Sequence, residues 1–377
     1  LPVLRWQGVA LEIAASALYI ENWWLAAEAV DYLAADNVPS PLQHFWSLSV
    51  EEQYYIAWPL VFGLLGWFGL TRRLGPRGAF TLMICAIAAV SLAYSAYLTP
   101  RDPGLAYFAT TTRAWELALG GLLATVGHWE RLAAPLRQAL GLVGLAMILA
   151  AAWSYDKGTP FPGYQALLPT VGSALVLMSG TAQGRCTLFG FLASRPMQYF
   201  GDISYSLYLW HWPAVVFYKQ IAGRELGLVD GLVVGGVSIA LAHQTKALVE
   251  DRFRHPSFAS ARPWQPFAFG LACILAALWC AAAITWQVGR HAEAAEALGN
   301  GGFRPSLVTA RADVPQAYAT GCHVDQQSTL PKACAMGPSD APVRLFVAGD
   351  SHAAQWLPAL EAMADANGWR IESYTKS

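Results

Sequence analysis

The sequence predicts an α-helical polytopic membrane protein of about nine spans, running into the start of an α/β domain. Two observations carry that prediction. Of 377 residues, 55% are hydrophobic and 13% charged, whereas an average soluble domain carries roughly 25% charged residues. Near the C-terminus the pattern changes: LFVAGDS, then HAAQWLPALEAMADANGW, then RIESY read as strand, helix and strand. The formal net charge of −1 gives no reason to expect a nucleic-acid partner, because in such a chain the distribution of charge matters more than its sum.

Apolar stretches long enough to cross a bilayer lie at 4–20, 52–70, 79–98, 111–127, 137–153, 164–181, 203–220, 227–248 and 265–286. The connections 71–78, 128–138, 182–199 and 249–264 hold Arg72, Arg73, Arg77, Arg131, Arg137, Arg185, Arg195, Arg252, Arg254 and Arg262. The opposite connections hold Arg101, Lys157 and Arg224. This asymmetry places the arginine-rich set in the cytoplasm and residues 287–377 outside. A start at Leu1-Pro2 reads as truncated, with one span expected ahead of it. Residues 1–288 form the membrane domain, 289–341 an extracytoplasmic linker rich in Ala, Gly, Pro, Asp and Gln, and 342–377 the opening of the α/β domain.

Ser351 stands at the strand-to-helix turn of that opening. A serine there is exposed beside backbone N–H groups able to hold an oxyanion, and it reads as a nucleophile for acyl transfer. In the linker, Cys322 and Cys334 read as a disulfide pair, with two unpaired thiols as the alternative. Metal binding is not expected, since His323 is the only soft ligand nearby. Cys85, Cys186, Cys273 and Cys280 read as free thiols in spans or a cytoplasmic connection.

Three polar segments interrupt the membrane body. In Gln43–Tyr55, Glu51, Glu52 and Gln53 meet the outer start of a span, and Ser49 reads as a helix cap whose early carboxylates complement the dipole. In Thr110–Gly120, Arg113 and Glu116 are three apart on one helical face and can pair, as a structural ion pair or a functional one. In Gly201–Pro213, Ser204, Tyr208 and His211 follow an i, i+4, i+7 stripe. An intramembrane histidine can simply bond a neighbouring helix, but its polar stripe also makes it a candidate base. A transporter or flippase using Arg113, Glu116 and His211 as a polar pathway is one rival reading, and a membrane-anchored esterase another.

In order along the chain, HFWSLSVEEQYYIAWPL, TTRAWELALGGLLA, GDISYSLYLWHWP, ALVEDRFRHP and AGDSHAAQWLPAL together resemble the acyltransferase-3 family of bacterial membrane proteins. The likeness is to the subgroup fused to an SGNH-hydrolase domain, which includes O-antigen acetylases. The resemblance implies a multi-pass protein of the bacterial inner membrane with its tail outside. It implies an O-acyltransferase that takes an acyl group, typically acetyl, from cytoplasmic acyl-CoA and delivers it to hydroxyls of an O-antigen, lipopolysaccharide or other cell-surface glycan. Acyl-CoA enters as substrate and no bound cofactor is expected. Ser351 matches the SGNH nucleophile, and Asp350 is a turn residue rather than the triad acid. Arg113, Glu116, His211 and Glu52 are the membrane-site candidates, with Ser204, Tyr208 and His44 as substrate-binding ones. The family's first-span Arg and His, and the later SGNH blocks with the Asp-x-x-His, do not occur in this sequence, so the 377-residue chain is expected to be inactive alone.

Overall fold

A computed structural model describes residues 2–30, 39–67, 70–127, 129–156, 158–180, 188–254, 264–297, 313–324, 330 and 332–376. Lys157, Arg185, Cys186 and Arg262 lie outside the described residues, as do 298–312 of the linker. The chain divides into two compact units, Leu1–Thr285 and Trp286–Ser377.

The first unit is helical. Two short helices, α1 (Trp6–Ala17) and α2 (Glu21–Val30), precede α3 (Phe45–Trp67) and α4 (Leu70–Leu98), which kinks at Gly75-Pro76. They are followed by α5 (Pro103–Phe108), α6 (Thr110–Val126), α7 (Ala134–Ser154), α8 (Leu167–Ser179) and α9 (Leu188–Leu192). The long α10 (Arg195–Ala222) is followed by α11 (Leu228–Thr245), which passes through a π turn at Lys246–Glu250 into α12 (Asp251–Arg254). α13 (Gln265–Ala297) ends this series. Among the described residues, Arg72–Leu98, Ala134–Ser154, Leu228–Arg254 and Gln265–His291 are long and apolar enough to cross a bilayer. The chain is a polytopic membrane protein.

The stretch 4–20 holds α1, of 12 residues, and the chain then turns through Tyr19, whose φ is 55°. Glu12 and Ser16 in α1 and Glu21 in α2 are buried, and Ser16 Oγ donates to Glu21 at 3.3 Å. Those polar groups face protein partners rather than lipid. Ser49 differs from expectation. α3 begins at Phe45, and Ser49 lies inside it, donating to the Phe45 carbonyl at 3.2 Å rather than capping the helix.

Packing between α7 and α8 is set by a glycine pair. A Cβ on Gly144 would lie 2.4 Å from the Gly172 carbonyl oxygen, and one on Gly172 would lie 2.8 Å from the Gly144 oxygen. Only hydrogen at both positions lets the two backbones meet, as small residues do where lipid offers no hydrophobic drive for helix association.

The second unit holds α14 (Gln316–Ala319), β1 (His323–Val324), β2 (Cys334–Met336), β3 (Arg344–Gly349), α15 (Ser351–Ala354), α16 (Leu357–Asn367) and β4 (Arg370–Lys376). β3 and β4 pair in parallel from Arg344↔Arg370 to Gly349↔Thr375. β1 pairs parallel and β2 antiparallel with β4, so β4 is hydrogen-bonded to all three other strands. The strand, helix, strand order read from 343–376 is therefore a βαβ unit. β1 and β2 fall within the segment read as linker, where a disulfide joins Cys322 to Cys334 and holds both strands to β4. Ala354, Leu357, Ala364 and Ile371 form the core with Ala317, under Leu345, Val347 and Trp369.

Candidate functional site

The first cluster gathers around α10. Pro213 stands inside this helix and has no N–H to give the carbonyl four residues earlier, which frees the Leu209 oxygen. His44, on the turn before α3, packs there. It is 7% exposed, and neither ring nitrogen makes a hydrogen bond among the described residues, although backbone at Leu209 and Pro41 lies nearby. Its ring centroid is 5.2 Å from that of Tyr208 and 5.9 Å from that of His211. The Tyr208 hydroxyl donates to the His44 carbonyl, and the Ser47 hydroxyl meets Tyr208 Oη at 2.5 Å.

His211 Nδ1 lies 2.8 Å from the Tyr208 carbonyl and 3.3 Å from that of Leu207. A carbonyl only accepts, so Nδ1 is the nitrogen that donates here and Nε2 is the one left for other partners. Trp212 Nε1 donates to the Ser40 carbonyl at 2.8 Å, and the Ser40 hydroxyl donates to Glu12. α1, the turn at 39–44 and α10 are thus stitched through polar groups.

The second cluster surrounds Arg113, which is 8% exposed. Its Nη1 meets Glu116 Oε1 at 2.8 Å and its Nε donates to the Tyr107 carbonyl at 3.3 Å. The guanidinium carbon lies 5.2 Å from the Trp46 ring centroid, 5.3 Å from Tyr107 and 4.9 Å from Phe161. Three aromatic faces and one carboxylate replace the water that a buried cation would lose. Because Trp46 sits between His44 and Ser47, the start of α3 supplies side chains to both clusters.

A network that the sequence did not reveal supports them. Asn22, fully buried, donates to the Phe108 carbonyl at 3.1 Å and to Thr110 Oγ1 at 3.0 Å, and accepts from Gln53 Nε2 at 2.8 Å. Gln53 Oε1 in turn accepts from Thr110 at 2.5 Å and from Trp23 at 3.2 Å. Gln53 was visible as a polar residue opening a span, whereas nothing in the local pattern marks Asn22.

Of the candidates, the structure brings His44, Tyr208 and His211 together and pairs Arg113 with Glu116. Glu52 lies beside Gln53 and makes no hydrogen bond among the described residues. Ser204 shares the face of Tyr208 and His211 but is exposed, with its hydroxyl returned to the Gly201 carbonyl at 2.8 Å. Ser206 points inward instead and donates to Glu250 at 3.0 Å.

Ser351 belongs to the second unit, at the first position of α15. Asp350 caps that helix, accepting from the His352 N–H at 2.9 Å. Gly349 has φ 154° and a Cβ there would lie 2.8 Å from the Ala353 Cβ, so glycine is what lets the strand turn directly into the helix. Ser351 is half-buried, and its hydroxyl makes no hydrogen bond among the described residues. The His323 ring, 8% exposed, lies 4.4 Å from that of Tyr318, and burial pushes its imidazole below the usual range while Asp350 pulls the other way.

Comparison with known proteins follows this division. The family described as an acyltransferase domain (acyltransferase 3) matches residues 9–286, and the SGNH domain described as fused to AT3 domains matches 321–377. The chain is 30% identical over 220 residues to the O-acetyltransferase OatA of Staphylococcus aureus (strain NCTC 8325 / PS 47), covering 54% of this chain and 34% of that protein. It is 30% identical over 212 residues to the peptidoglycan O-acetyltransferase OatA of Listeria monocytogenes serovar 1/2a (strain ATCC BAA-679 / EGD-e), covering 53% and 33%. The YrhL protein of Bacillus subtilis (strain 168) is 29% identical over 221 residues, covering 56% and 34%. The aligned part is about a third of the length of each of these curated relatives. No solved structure gives a significant match. With the acyltransferase domain matched over 9–286 and an SGNH domain after it, the chain belongs to the acyltransferase-3 family.

Proposed function

We propose that the protein is a membrane O-acetyltransferase that moves acetyl from an acyl-CoA to hydroxyls of a cell-envelope glycan. The observation that carries the reading lies inside the acyltransferase-matched region. There an imidazole whose Nδ1 meets the backbone, a second, buried imidazole packed against it, two hydroxyls and a caged guanidinium lie on helices that share the start of α3.

In this reading His211 takes the proton of an attacking hydroxyl, Tyr208 and Ser47 hold that hydroxyl, and Arg113 faces the negative charge on the thioester side. Ser351 carries the acetyl as an ester. The thioester C–S bond breaks as the O–C bond of the attacking carrier hydroxyl forms, and its proton leaves with the thiol. The acetyl, once outside, passes to Ser351, the carrier O–C bond breaking as the Ser351 Oγ–C bond forms and the serine proton returning to the carrier hydroxyl. A glycan hydroxyl then attacks the ester, forms its own O–C bond and returns a proton to Ser351. The arginine-rich connections face the cytoplasm of a bacterial inner membrane in this scheme, and the SGNH unit lies outside, where the glycan is. Peptidoglycan, named for the Listeria monocytogenes relative, is the first acceptor to test, ahead of O-antigen.

The test is the O-acetyl content of purified envelope glycan. It is measured in cells with the complete gene, in the deletion strain, and in the deletion strain restored with wild type or His211→Gln. Acetyl should vanish on deletion and return only with wild type. Equal acetylation in all four strains overturns the reading.

A further inference from the structure

Beside the histidine cluster lies a cleft of about 570 Å³, lined by Arg5, Trp212, Val216, Lys219, Arg224 and Glu225 among others. None of these residues enters the chemistry proposed above. Building on that reading of the protein as a glycan acetyltransferase, we propose that this cleft binds an acidic substituent of the acceptor glycan, a carboxylate or phosphate, while the sugar ring stacks on Trp212.

Charge supports this first. Lys219 pairs with Glu225 at 2.6 Å, and Arg224 grips Asp230 at 2.5 and 3.0 Å. Arg5 has no ion pair or side-chain hydrogen bond among the described residues. Among the described residues, three cations against these two carboxylates leave one net positive charge. The Lys219–Glu225 pair is solvent-exposed, with side chains 43% and 86% accessible, so it is weak and Lys219 can turn to an incoming oxyanion.

Shape supports it next. The Trp212 indole is fixed by its bond to the Ser40 carbonyl at 2.8 Å, which gives the cleft a rigid flat wall with no ordering left to be lost on binding. The volume falls in the range of sites for small organic ligands.

Coenzyme A shares the phosphate chemistry, but a single net positive charge suits one carboxylate or phosphate better than the several charges of coenzyme A. The connection after α10 also belongs to the arginine-poor set, opposite the face an acyl-CoA would approach.

The test is binding to the purified full-length protein in nanodiscs, with four probes: a galacturonic acid trisaccharide, the neutral galactose trisaccharide, glucose 1-phosphate and coenzyme A. Either acidic sugar should bind at least about tenfold more tightly than the neutral one, as an added charge-assisted hydrogen bond allows. The two acidic arms tell carboxylate from phosphate. Arg5→Gln should bring the acidic probe down to the neutral level, and Arg5→Lys should retain most of the preference. A variant that fails to fold is recognised by its aggregation, and Lys219→Gln then serves as the second loss variant. Equal binding of acidic and neutral sugars overturns the proposal. So does acidic binding that survives both Arg5→Gln and Lys219→Gln, or coenzyme A as the only probe sensitive to Arg5. Binding needs no turnover, so the cleft can hold an acidic sugar even if the acetyl-transfer assay fails, and the reverse.

Discussion

In the membrane unit Arg113 and Tyr208 are held in part by residues far away in the sequence, whereas in the C-terminal unit Ser351 is presented by its immediate neighbours. Arg113 depends on Trp46 and Phe161, and Tyr208 on Ser47 and His44. Ser351 needs only Gly349, Asp350 and the turn into α15. The first arrangement is rigid because many helices must agree, and the second is simple because one strand-to-helix turn suffices. A local turn presents an atom but does not activate it.

The largest expected effect tests the local turn. Ser351→Ala in the full-length protein should lower glycan acetylation by up to about 10⁶, read as glycan acetyl content at matched protein levels. Normal acetylation would mean that the helical unit transfers directly to sugar. Next comes the imidazole. His211→Gln should cost about 10²–10⁴ in rate with membrane levels unchanged, and disappearance of the protein from the membrane would instead make His211 a packing residue. Arg113→Lys keeps the charge but loses the planar stack and fork, and a loss of about 10²–10³ in transfer rate is expected. Full activity in that variant would reduce the aromatic cage to a way of burying any cation.

Two smaller effects concern the C-terminal unit alone. Replacing Cys322 and Cys334 together by Ser should lower its stability by about 2–4 kcal/mol, measured by protease resistance of that unit in the full chain under increasing urea. The smallest effect is on pH dependence. Burial holds the His323 imidazole below its ordinary 6.5. A folded-state value below the unfolded one contributes stability that is complete above about pH 6.5 and lost as pH falls beneath it. Protease resistance should therefore drop below about pH 6.5, and His323→Phe should flatten that decline.

What the sequence made legible follows the same contrast. The βαβ unit and the Ser351 turn could be read because strand alternation, glycine and a capping Asp act over a few residues. The Arg113–Glu116 pair was readable for the same reason, since an i, i+3 spacing is local. The buried polar contacts of α1 were not, because a hydropathy window registers apolar residues and not that Glu12 accepts from the Ser40 hydroxyl, 28 positions away. Asn22 was missed likewise, its partners Phe108 and Thr110 lying 86 and 88 positions off. Ser204 was placed on the correct face of α10, but helical period says nothing of which turn of that face another element reaches.

Pro213 gives this arrangement a mechanical meaning. A helix with a missing rung behaves as two rods meeting at a joint, and here the joint lies beside His211 and Trp212. Movement of the far rod, which carries Lys219, would shift the wall of the neighbouring cleft while leaving the segment of α10 before Pro213, with Tyr208, in place. Pro213 thus sets where α10 has one backbone hydrogen bond fewer, between the segment anchored through Tyr208 and the segment that carries Lys219.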